Sequence, residues 1–177
     1  MPTAARRRGN RWIRGCLRKL LLILAAALLL GGCGGSGEAD TYAATLPEGW
    51  RDATRQAESK SGTDFEAVYE GPHTAGITAS IAILRVEAEP DATLEDIIRA
   101  GRANLGKAYG VAGPPVRTRL GGEPAMQLDY EAQGGRVRQV GALHGRFFYL
   151  LSFTAAPQAF ERDVAALAEL IRSWRWR

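Results

Sequence analysis

Phe147-Phe148-Tyr149-Leu150-Leu151-Ser152-Phe153 is apolar on both sides: at a strand's period of two, Phe147, Tyr149, Leu151 and Phe153 oppose Phe148 and Leu150. A strand with one wet face would alternate with polar residues, so this one is expected at the centre of a sheet covered on both faces. The chain before it is cut by turn signals at Gly121-Gly122, Gly134-Gly135 and His144-Gly145, which divide the stretch from Val116 onward into four hairpin-linked strands. In the second of these, Met126, Leu128, Tyr130 and Ala132 alternate with Gln127, Asp129, Glu131 and Gln133, as in an antiparallel strand with one solvated face. The third fits less well. Val137 and Val140 fall on opposite faces under strict alternation, and Gly141 is read as a bulge position.

Further upstream, the chain after Leu46-Pro47-Glu48-Gly49-Trp50 reads as strand-like. Phe65, Ala67 and Tyr69 share one face of a strand that Gly71-Pro72 is expected to end. From Gly76 to Glu87, Ile77, Ala79, Ile81 and Ile83 line one side, with Leu84 and Val86 on the other, so this strand too is covered on both faces for part of its length. Thr93-Leu94-Glu95-Asp96 then starts a helix in the manner of a capping box: a hydroxyl for the free amides, and acids where the helix dipole favours them. Leu94, Ile97, Ile98, Gly101 and Leu105 form its apolar stripe to about Tyr109, and Gly110 with Gly113-Pro114-Pro115 stops it.

Pro157 opens a last helix at a position where its missing amide costs little. There Phe160, Val164, Leu167, Ile171 and Trp174 recur at intervals of four and three. Each large side chain buried along such a stripe is worth about 1.5–3 kcal/mol, so packing outweighs propensity differences of a few tenths. Strands, helix, strands and helix, joined by short turns, predict an α+β fold with helices over a mainly antiparallel sheet.

The N-terminus carries a different message. Arg6, Arg7, Arg8, Arg11, Arg14, Arg18 and Lys19 precede eleven uninterrupted apolar residues, Leu20 to Leu30, with no acid before Glu38. A basic n-region followed by a short apolar h-region is an export signal, and eleven residues are too few to span a bilayer as a helix. Leu30-Gly31-Gly32-Cys33 resembles the lipobox of bacterial lipoproteins. That resemblance implies cleavage between Gly32 and Cys33, and a diacylglyceryl group with palmitate-type chains on the Cys33 thiol. Residues 1–32 are then the signal peptide, 33–45 a lipidated flexible tether with a reach of about 20 Å, and 46–177 one folded domain. Two or more acyl chains suffice for a stable anchor, which places the protein on the extracytoplasmic face of a cell membrane.

Discarding the leader changes the charge balance. The whole chain has 23 basic and 19 acidic residues; seven of the basic ones are in the leader, so the mature chain is near 16 − 19 = −3. Its remaining Arg and Lys are interspersed with acids, so nucleic-acid binding has no footprint. Cys16 lies in the leader and Cys33 is the lipid site, which leaves no thiol for a disulfide in the domain.

Several landmarks together resemble the Mog1/PsbP-like superfamily, specifically its LpqN-type bacterial lipoproteins. They are Leu46-Pro47-Glu48-Gly49-Trp50, the strand to Val86 with the Thr93-Leu94 helix start, Leu120-Gly121-Gly122-Glu123-Pro124-Ala125, Phe148 to Phe153, and the closing helix into Ser173-Trp174-Arg175-Trp176. The resemblance implies an α/β/α sandwich on a mainly antiparallel sheet and a binding or accessory role. It transfers no catalytic residue.

Reactive constellations are not evident in the sequence. No serine stands in a Gly-x-Ser-x-Gly frame, and no Gly-x-x-x-x-Gly-Lys or Gly-x-Gly-x-x-Gly occurs. His73 and His144 are 71 residues apart without a metal-ligand spacing and read as turn or surface residues. Asp129 and Glu131 share a strand face but occupy its polar half, and are expected to be solvated, opposite Arg136 or Arg138 on the paired strand. Trp174 reads as core. Trp176 is the candidate ligand-binding residue if it is exposed, although Trp-x-Trp could equally close as a short edge strand. The expectation is a noncatalytic module, with no cofactor or metal, that binds another envelope protein or a small ligand. The alternatives are a carrier of an apolar ligand or lipid, prompted by Phe147, Phe148, Tyr149 and Trp176, and an unrecognised hydrolase.

Overall fold

A computed structural model of the chain describes residues 42–109 and 113–177. The expected signal peptide, the expected Gly32-Cys33 cleavage and lipidation site, residues 33–41 of the expected tether, and Gly110 lie outside these residues. The elements run β1 (Tyr42–Ala43), β2 (Arg51–Asp52), α1 (Thr54–Ser61), β3 (Ala67–Thr74), β4 (Ile77–Glu87), α2 (Leu94–Tyr109), β5 (Val116–Leu120), β6 (Glu123–Ala132), β7 (Gly135–His144), β8 (Phe147–Ala155), α3 (Phe160–Ser173) and β9 (Arg175–Trp176).

Seven strands make one antiparallel sheet in the order β2-β3-β4-β8-β7-β6-β5. β8 is its middle strand, as its two apolar faces require. Tyr149, Leu151 and Phe153 are fully buried on one side with Ile81, Ile83, Leu120 and, from α3, Phe160, Leu167 and Leu170. On the other side Phe148 and Leu150 pack with Leu84 and Ile98 of α2, and beside them Leu105 meets Leu128, Tyr130 and Val137. One helix per face gives the α/β/α sandwich.

α2 begins as its sequence predicts. The Thr93 hydroxyl accepts the Asp96 amide at 3.2 Å and donates to the Asp96 carboxylate at 2.7 Å. In α3 the inward line is turned from the expected stripe: Phe160 and Leu167 are buried, but Val164 and Ile171 are only half-buried, and Ala166 and Leu170 take the deeper positions. Trp174 is fully buried as expected, yet it has left the helix, with φ −62° and ψ 130°. Asp163 is buried too, its carboxylate held by Arg162 Nε at 2.6 Å and Nη2 at 3.0 Å.

Other expectations need correction. Gly141 is not a bulge: it pairs in unbroken register with Met126 and Leu150. It is glycine because the Phe148 ring lies where a side chain would be, 2.7 Å from the position of a Cβ, with Ile98 behind it. Gly71-Pro72 does not end β3. The strand runs on to Thr74 through a register shift between Glu70 and His73, where a proline without an N–H is tolerated, and the Trp50 indole covers Gly71. Phe65 precedes the strand and packs with the Leu84 and Ile98 cluster, on the face opposite Ala67. Two hairpin turns are shifted by a residue, to Gln133-Gly134 and Gly145-Arg146; Gln133 accepts φ 52°.

The stretch after Trp50 is not simply strand-like, because α1 intervenes. It has no buried residue, so no apolar stripe announces it; its ends do. Asp52 Oδ1 accepts from the Thr54 amide at 2.8 Å and the Thr54 hydroxyl at 2.6 Å, and Gly62, left-handed at φ 65°, donates to Glu58 O. The tether is also shorter than expected: Tyr42 and Ala43 pair with Trp176 and Arg175, so the fold starts before Thr45.

The Thr54 hydrogen bonds hold the Asp52 carboxyl below its ordinary pKa of 3.8. A depressed folded pKa gives stability that is present above the unfolded value and lost as pH falls through the folded one. Asp52→Ala is therefore expected to lower stability by about 0.5–1 kcal/mol at pH 7, the discounted value for an exposed cap. In denaturant titrations the gap to the parent should close as the pH drops below 3.8; a gap constant down to pH 2 would contradict this origin.

Candidate functional site

Two features stand out beside the β5–β6 hairpin, on opposite faces of the sheet. The first is built by β1 and β9. Tyr42 stacks on Trp174 with centroids 4.0 Å apart and planes within 7°. Trp176 meets Trp174 edge to face at 5.3 Å and stacks on His144 at 4.2 Å and 4°. Its indole N–H donates to Leu120 O at 3.1 Å, and its ring covers Gly121, where a Cβ would come within 2.5 Å. Glu123 Oε1 lies 2.9 Å from His144 Nδ1 and holds the imidazole against the indole. Trp176 is thus half-buried and committed to internal contacts, in the short antiparallel pair that the Trp-x-Trp pattern allowed. The Trp174 indole N–H and Glu123 Oε2 are buried with no hydrogen-bond partner among the described residues, a polar seam within the aromatic cluster.

The second feature is a groove of about 740 Å³ on the helix face of the sheet. α2 packs on β6 and β7 and leaves the outer strand β5 uncovered. Leu94, Pro124, Ala125 and Met126 form the apolar part of the lining, while Glu95, Arg117 and Arg119 supply its charge. The Arg117 side chain is 87% exposed and only loosely associated with Glu95, at 3.9 Å. Arg119 is steadied by donating to Gly122 O at 2.7 Å. Val116, at the start of β5, is 55% exposed, unusual for a large apolar side chain here. Sequence reasoning missed this groove, because its floor and rim come from a helix start and two strands that no single motif joins.

The remaining candidates are placed as follows. Asp129 lies opposite Arg138 and accepts from its Nε at 2.9 Å and Nη2 at 2.7 Å, with Arg136 a further 3.9 Å contact. This pairing raises the Arg138 pKa, chiefly through the hydrogen bond to Asp129. Glu131 sits opposite Arg136 and is exposed. Asp129 is therefore tied into an ion pair across the strands. His73 is exposed, with Nδ1 2.9 Å from Thr78 Oγ1, whereas His144 is half-buried under Trp176. Among the described residues no cluster of His, Cys, Asp and Glu could hold a metal ion, and no helix is long and apolar enough to cross a membrane. The aromatic residues that suggested an apolar ligand are filled by their own neighbours: Phe148 and Tyr149 are core, and Phe147 lies between the Arg85 and Arg146 guanidinium groups at 4.9 and 5.0 Å.

Trp176→Phe keeps the ring over Gly121 but loses the bond to Leu120, and is expected to cost about 1 kcal/mol. Gly121→Ala must displace both indoles and place a side chain at the strained φ of 58°, so its denaturation midpoint should fall by clearly more. A midpoint lowered less by Gly121→Ala than by Trp176→Phe would contradict this packing.

No family model matches the chain, and no curated protein does. Solved structures do share its shape. LpqN of Mycobacterium tuberculosis, a protein involved in cell envelope biogenesis, aligns over 80% of this chain and 86% of its own with a TM-score of 0.56 at 15% identity. The cyanobacterial PsbP, CyanoP, of Synechocystis aligns over 84% and 99% with a TM-score of 0.54 at 15% identity. A Pseudomonas aeruginosa protein of unknown function aligns over 60% and 79% with a TM-score of 0.52 at 20% identity. At these identities the likeness is one of fold, and the fold of this chain is the Mog1/PsbP-like sandwich that LpqN and CyanoP also adopt.

Proposed function

We propose that this chain is an extracytoplasmic lipoprotein, anchored to the cell membrane through Cys33, whose sandwich domain is a noncatalytic accessory module that binds another envelope protein or a small ligand. The observation that carries the binding role is the open groove between α2 and β5, with an apolar floor and an arginine rim. The Leu30-Gly31-Gly32-Cys33 sequence supports the anchor. LpqN, of the same fold, is involved in envelope biogenesis, which makes an envelope role a natural one for this chain.

The chain ends fit the same picture. β1 runs antiparallel to β9, so the polypeptide coming from Cys33 enters the fold beside the C-terminus. Eight residues, 34–41, separate Cys33 from Tyr42 and can reach at most about 28 Å. The aromatic seam then serves as the joint that ties the anchor to the domain, and the groove remains available to a partner in the envelope.

Cys33→Ala should abolish incorporation of labelled fatty acid and leave an uncleaved precursor, read by gel mobility and intact mass. A mutant that is still acylated and matured would refute the anchor. Turnover found in an activity screen of the acylated protein, and lost on Asp129→Asn or His144→Ala, would refute the noncatalytic role.

A further inference from the structure

We propose that the outer edge of β5 accepts an extended peptide segment of a partner protein, added as an eighth, antiparallel strand and carrying two acidic side chains two residues apart. This rests on the accessory-protein reading above and names the chemistry of its partner.

Gly121-Gly122 is a two-residue hairpin loop with both φ values positive, 58° and 90°, joining Leu120 to its partner Glu123. In such a hairpin the pair flanking the turn is hydrogen-bonded, and bonded and non-bonded pairs alternate from there. Thr118 with Ala125 is thus bonded, whereas Arg119 with Pro124 and Arg117 with Met126 are not. Pro124, which has no N–H to give, stands at a position that needs none. It follows that Arg117 and Arg119 turn their backbone N–H and C=O groups away from β6, along an edge with no neighbouring strand among the described residues.

The side chains select the partner. Arg117 and Arg119 share the groove face with Met126, so residues of an added strand directly opposite them would lie on that same face, two apart. Carboxylates there would meet both guanidinium groups. A second copy of this chain would not: pairing β5 with itself about Thr118 sets Arg117 opposite Arg119 twice, like charge against like. The edge is guarded against self-association and open to an acidic strand. Val116 adds an apolar contact on the other face.

The test uses the full chain in detergent and a fluorescent, end-capped peptide of sequence Thr-Val-Glu-Val-Glu-Val-Thr, with binding read by anisotropy. Saturable binding is expected. It should weaken at least tenfold when both glutamates are replaced by lysine, and equally when only their backbone amides are methylated, which keeps the charge and removes strand addition. Arg117→Glu with Arg119→Glu should reverse the preference toward the lysine peptide. Absence of saturable binding, unchanged binding of the methylated peptide, or self-association of the chain through β5 would each overturn the proposal. None of these results touches the tests of acylation at Cys33 or of turnover, so the accessory reading stands or falls separately.

Discussion

The structure depends on one strand that must be covered twice. β8 presents Tyr149, Leu151 and Phe153 to one face and Phe148 and Leu150 to the other, and no arrangement with a wet face could hide both sets. At about 25 cal/mol per Å² of apolar surface removed from water, that requirement dominates local preferences. It forces hydrogen-bonded neighbours on both sides, β4 and β7, and a helix above and below. The glycine at 141 follows from the same demand, since Phe148 fits under Ile98 only where the adjacent strand has no side chain.

Coverage is generous at the centre and runs out at the edge. α2 spans β6 and β7, so β5 keeps one face open, and what remains is a groove with charged residues where a core would have apolar ones. On the opposite face the chain ends close the sandwich instead. Tyr42 and Trp174 stack across the start and finish of the domain, and the adjoining Trp176, His144 and Glu123 extend that closure over the β5–β6 turn. The same economy that fills the interior thus leaves charged side chains at a strand edge on one face and an aromatic cluster on the other.

The legible parts of the sequence were those with a period. The two-sided pattern of Phe147–Phe153 placed β8 in the middle, and the Thr93 cap and its stripe located α2. What escaped lacks a period. α1 is polar on every face and is specified by Asp52 and Gly62 at its ends, while Ala75 and Gln133 adopt positive φ that composition does not advertise. Gly141 looked like a bulge because a pocket for a ring from the next strand and a kink leave the same mark in a sequence. The Tyr42–Trp174 stack joins residues far apart in the sequence, beyond any local signal. For the candidate site, Trp176 was visible as an aromatic but its hydrogen bond to Leu120 was not, and the groove required three elements to be placed in space.

If the doubly covered strand is the constraint that organises the fold, its backbone should be the last to open. Native-state amide hydrogen exchange measures this directly. The account predicts that the amides of Tyr149, Leu151 and Phe153 exchange only through global unfolding, with the full denaturant dependence of the transition, while those of Arg117 and Arg119 exchange through local opening. Amides of β8 that exchange by local opening, or sooner than those of β5, would contradict it.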